Sequence, residues 1–121
     1  MKKHLNKSLK ATLDKTAAAR NAADYEYIIY MLMCQHLEEN GVEIPDLACM
    51  PEIAEVMFVQ FDQIKESINQ PNLSHKKSRK ICYSLDILRR EFEDVRSFSI
   101  DARKQLHAAW LVKYPESTSI L

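Results

Sequence analysis

Gly41 is the only glycine among 121 residues. Tight hairpins and phosphate-cradling loops depend on glycine for backbone with positive φ, so this chain has little means of building a β-rich fold or a glycine-rich nucleotide loop. Pro45, Pro51, Pro71 and Pro115 punctuate the chain. Between the breaks, apolar residues recur at three- and four-residue steps, the period of a helix. The prediction is an all-α fold, a single-domain helical bundle of four to five helices over residues 1–121.

The first helix is expected over 5–20, where Leu5, Leu9 and Leu13 form only a thin apolar stripe, so this basic N-terminal segment is expected to be marginal or mobile by itself. The second spans 22–39 and stops at Asn40-Gly41. Between Tyr25 and Cys34 only Glu26 is polar. A helix so apolar all round must be covered on most sides, either as the central helix of the bundle or as the seam of a homo-oligomer.

Pro51 opens the third helix, with Ile53, Val56, Met57, Phe58, Phe61, Ile64 and Ile68 as its apolar positions. A fourth over 74–96 carries Ile81, Leu85, Leu88, Phe92 and Val95 in a four-three-four-three pattern, too short for a free coiled coil and therefore core. The last begins at the Ser97–Ser99 break and ends before Pro115, leaving 116–121 frayed.

Equal numbers of basic and acidic residues, 17 each, conceal a polarised chain. Residues 1–20 carry +5, residues 21–70 carry −9 and residues 71–121 carry +4. Either the basic ends fold over the acidic middle, or charged surface stays free to steer a partner of opposite sign. His75, Lys76, Lys77, Arg79 and Lys80 fall in the first turns of the fourth helix, where the dipole disfavours cations. Cations beside unpaired backbone N–H groups suit an anion such as a phosphate or a carboxylate-rich surface. Arg89 and Arg90, with Arg96, would continue that strip. No aromatic interleaves with the cluster, so backbone binding without base specificity is the expectation.

Catalytic constellations are sparse. His36 and Glu39 share a helical face but have no third ligand, so no metal or other cofactor is expected. His75 among lysines resembles a phosphotransfer domain, yet Ser78 and Arg79 stand where its His-x-x-Lys-Gly pattern needs lysine and glycine. Arg103 and His107 resemble the Arg-x(4 to 6)-His motif of the HEPN ribonucleases, with a gap of three here and Lys104 after the arginine. The resemblance implies an RNA-cleaving pair. Read from the residues alone, Arg103, His107, Trp110 and Tyr114 form one line of types enriched at interface hot spots.

Cys34, Cys49 and Cys82 show no C-x-x-C spacing and read as free, mostly buried thiols of a cytoplasmic protein. The lysines at the N-terminus precede no hydrophobic run, so neither a secretory signal nor a membrane span is expected. The function expected from these features is non-catalytic binding to a protein, as an adaptor, inhibitor or small subunit of a complex. A non-specific nucleic-acid-binding subunit is the alternative, and a HEPN-like nuclease the third.

Overall fold

The computed structural model describes residues 2–47, 51–69 and 73–117, with side chains over 7–47, 54–69 and 73–117. Three helices account for it: α1 (Lys2–Glu39), α2 (Pro51–Ile68) and α3 (His75–Lys113). The all-α expectation holds, but the helices among the described residues number three rather than four or five. The expected first and second helices are one continuous α1, and the expected fourth and fifth are one continuous α3. At the supposed break in α3, the buried Ser99 turns its hydroxyl back and donates to the Val95 carbonyl at 2.8 Å. A serine that satisfies itself in this way can lie inside a helix.

The breaks that do end helices have clear local causes. At the end of α1, Gly41 takes φ +69°. Val42 N–H then donates to the Leu37 carbonyl at 2.9 Å and Gly41 N–H to Glu38 at 3.1 Å, the paired bonds of a Schellman motif. Lys113 reaches across to the Asn40 carbonyl at 2.6 Å and ties the end of α3 to the end of α1. At the start of α3, the Ser74 hydroxyl accepts from Lys77 N–H at 3.1 Å. Ser74→Ala should therefore cost about 1 kcal/mol in a urea titration, and an unchanged midpoint would show that water caps the helix equally well.

Contacts between the helices fix their directions. Thr16 meets Leu85 near the start of α1 and α3, Tyr30 meets Phe98 further along, and His36 meets Trp110 near their ends. The two long helices, each about 57 Å at 1.5 Å per residue, therefore run parallel. Phe58 of α2 lies on Tyr27 while Asp62 lies on Arg20, so α2 runs back against them. At about 27 Å it covers only the middle of the pair. The expected central position of the Tyr25–Cys34 segment is not observed, because α3 is the helix packed extensively against both others.

The seam between α1 and α3 has a seven-residue repeat. Leu9, Thr16, Ala23, Tyr30 and Leu37 are buried on α1, and Ser78, Leu85, Phe92, Ser99 and Leu106 on α3. Thr16 Oγ1 shares its one proton between the Thr12 carbonyl at 2.8 Å on its own helix and the Leu85 carbonyl at 3.1 Å across the seam, a contact that sets an offset of 69 residues. That offset brings Leu9 level with Ser78, Thr16 with Leu85, Ala23 with Phe92 and Tyr30 with Ser99. At each of these four levels a large side chain is matched with a small one, which lets two parallel helices approach closely and still fill the space.

From Leu9 onward the N-terminal segment packs against the core. In α2, Ala54, Met57 and Phe61 are buried, whereas Val56 is exposed on its outer side. Cover around α1 is also less than its composition suggested. Tyr27, Tyr30 and Met33 are buried, but Tyr25, Ile28, Met31 and Leu32 remain exposed, because in a three-helix arrangement α1 has only two neighbours. Cys34 and Cys82 are free and half-buried rather than fully buried, and burial pushes the Cys34 thiol above its ordinary value. Cys49 and residues 118–121 lie outside the described residues. Among the described residues, no helix is long and apolar enough to cross a membrane.

Candidate nucleic-acid interface

Parallel packing gives the charge pattern its spatial form. The offset of 69 residues brings Lys76–Lys80 of α3 level with residues 7–11 of α1, so the two most basic segments of the chain meet at one end of the molecule. Both helices begin there, and neither has an acid in its first turn. Their dipoles add positive potential to that end. Lys7, Lys10, His75, Lys76, Lys77, Arg79 and Lys80 are all exposed. The opposite end holds the exposed Glu38, Glu39, Glu43 and Asp46.

Among the described residues, no ion pair neutralises the basic tip. Among the described residues, the ion pairs join Arg20 to Asp62, Arg89 to Asp86 and Glu93, Arg90 to Asp86, and Arg103 to Glu26. None involves a tip cation. α2, which carries acids of the middle segment, is too short to reach over the tip.

His75, Lys76, Arg79, Lys80, Tyr83 and Ser84 line a shallow depression of about 530 Å³ on α3. Tyr83 is 71% exposed and lies one helical turn beyond Arg79 and Lys80, where residues four and three apart share a face. No aromatic interleaves with residues 75–80, but Tyr83 adjoins them one turn further along the same face. Sequence reasoning missed Tyr83 by scanning for aromatics within the run of cations instead of one turn further along the same face.

The expected extension of the strip through Arg89 and Arg90 is not free surface. Arg89 contacts Asp86 and Glu93 at 3.0 Å each, and Arg90 lies 3.4 Å from Asp86. The Asp86 hydrogen bond, with Glu93 behind it, raises Arg89 above the ordinary arginine value. The local charge is thus largely balanced, and the strip does not continue from Lys80 through Arg89 and Arg90 as unpaired cations.

The line Arg103, His107, Trp110 and Tyr114 is on one side of α3, but it is not an exposed hot-spot face. Trp110 is buried, with its ring 4.8 Å from His36 and 4.4 Å from Tyr114. Arg103 is paired with Glu26 across the seam, and His107 is half-buried. Because α3 continues unbroken past Ser99, its seam carries this line against the end of α1. The Arg103 guanidinium is thereby occupied by a carboxylate. Among the described residues, no group of three His, Cys, Asp or Glu side chains could hold a metal ion, and the His36 ring lies tilted against Trp110.

Comparison of the chain with protein families, with curated proteins and with solved structures finds no match.

Proposed function

We propose that the protein is a non-catalytic binding protein that holds the phosphate backbone of nucleic acid at its basic tip, without reading base sequence. The observation that carries the proposal is the meeting of two unpaired basic segments, including Lys7 and Lys10 on α1 and Lys76, Lys77, Arg79 and Lys80 on α3, at the shared positive end of two parallel helices. Cations confined to one end provide a short electrostatic footprint on a polyanion. Tyr83 adds an exposed ring on which an unpaired base can stack, which favours single strands over duplex. The described cations of the tip suit phosphate contacts, which position a strand without reading its bases.

The test is fluorescence anisotropy with labelled single- and double-stranded oligonucleotides at two salt concentrations. Wild-type affinity should fall steeply with salt, because each neutralised phosphate releases counterions. Changing Lys76, Lys77 and Lys80 to Glu puts acids in the first turns of α3, where the dipole favours them, so the thermal melt should hold or rise slightly. For a single strand the slope of log affinity against log salt should flatten by about 2, near 0.7 for each lost contact. Tyr83→Ala should weaken single-strand binding by about 1–3 kcal/mol with little effect on duplex. Absence of wild-type binding at low salt would refute the proposal and leave an acidic protein surface as the partner to seek.

A further inference from the structure

Beyond the inner seam, α1 carries a second row of residues. Ala18, Ala22, Tyr25, Ile29 and Leu32 follow at steps of four, three, four and three, the spacing of a surface that packs along another helix. The lower part of this row forms one wall of an open groove of about 760 Å³, with Arg89, Glu93 and Arg96 of α3 on the other wall and nothing from α2. Higher up, Tyr25 is 65% exposed and Ile28 and Leu32 are each 48% exposed. Tyr25 and Leu32 of this row, with Ile28 beside them, form an exposed apolar face, while Ile29 packs inward against the core.

We infer that a second copy of this chain packs antiparallel against this face, around a two-fold axis passing α1 near Ile28. Charge selects both the partner and its direction. On α1 the exposed Lys15 lies below the apolar segment, in the lining of the groove, while the exposed Glu38, Glu39 and Glu43 lie at and beyond its upper end. Lys15 is about 20 Å below the axis, and Glu39 is about 16 Å above it, at 1.5 Å per residue. An antiparallel copy therefore sets Lys15 of each chain beside the glutamates of the other, to within about one helical turn. A parallel copy would oppose lysine to lysine and glutamate to glutamate. Alanines at 18, 19 and 22 allow the two backbones to come close where the partner's end arrives.

The axis is well above the middle of α1, so the basic tips overhang the dimer. Residues 7–11 of α1 and Lys76–Lys80 of α3 project past the partner's upper end on both sides. Nucleic-acid binding at the tip and self-association along the groove are thus separate properties, and each can fail without the other.

Sedimentation equilibrium of the wild-type chain at micromolar concentration should give twice the 14.1 kDa chain mass. The double substitution Ile28→Glu and Leu32→Glu, at exposed positions, should give the monomer mass with an unchanged circular-dichroism spectrum. For direction, Ile28→Cys and Lys15→Cys are each made in a chain whose three native cysteines are serine, and a short bis-maleimide is added. Ile28→Cys should cross-link to a covalent dimer. Lys15→Cys should not, since the two copies of residue 15 lie about 40 Å apart in the antiparallel pair. A monomeric wild type, a dimer that survives the double substitution, failure of Ile28→Cys to cross-link, or efficient cross-linking at residue 15 would each overturn the inference.

Discussion

Phe92→Ala is expected to remove about 3–5 kcal/mol from the unfolding free energy, the range for deleting a fully buried aromatic ring. Phe92 has no solvent exposure and is the point at which all three helices meet. Its ring stacks at 5.6 Å on Phe58 and meets Phe61 edge-on at 6.0 Å, both from α2. Across the seam it is level with Ala23, which has no side-chain atoms to move into the vacated space. The cavity would therefore stay largely open, favouring the upper part of the range. Because Phe58 and Phe61 are the aromatic side chains that seat α2, the same variant should loosen α2 before the long pair separates. Hydrogen exchange should accordingly show the amides of 54–68 losing protection first. The measurement is a denaturant titration followed by circular dichroism. A loss below about 1 kcal/mol would mean that the site collapses around the deletion and that Phe92 does not organise the core.

How much of this was legible in the sequence depends on which residues occupy the seam. Leu85, Leu88, Phe92 and Val95 are large and apolar, and their spacing reveals the core side of α3 directly. The Gly41 stop, the Ser74 cap and the termination before Pro115 are equally plain, because each rests on a local bond or a forbidden conformation. The full lengths of α1 and α3 were hidden because their repeats pass through Thr16, Ala23, Ser78, Ser99 and Ala102, residues that do not register in a search for apolar periodicity. Each is buried because a larger neighbour fills its level, and that relation exists only between chain segments 69 residues apart. Seen singly, Ser97–Ser99 resembles a break.

The candidate site was legible in its parts but not in its assembly. Both basic segments stand out in the sequence, and the dipole argument singles out Lys76–Lys80. That the segments share one end follows from the parallel direction of α1 and α3, for which no local pattern encodes a signal. The reason Arg89 and Arg90 do not belong is local and was legible in the sequence. Asp86 and Glu93, three or four residues away on the same helix, already hold them.

Trp110→Ala should be the other costly substitution, and it decides whether the end of α3 is core or contact surface. Trp110 is the only tryptophan, is 7% exposed, and packs between His36 and Tyr114. Loss of so large a ring sets a penalty of about 3–5 kcal/mol. One feature lowers it: the indole Nε1 is buried without a hydrogen-bond partner, and removing an unmatched donor recovers part of its desolvation cost. The net loss should therefore lie near 3 kcal/mol, a fall in Tm of roughly 10 °C for a domain of this size. Trp110→Phe separates the two contributions, since it keeps most of the ring and removes the donor. It should fall within about 1 kcal/mol of wild type. A larger deficit for Phe would mean that the indole N–H makes a bond that matters to stability. An Ala variant melting with the wild type would place Trp110 outside the core and restore the line from Arg103 to Tyr114 as a partner-binding face.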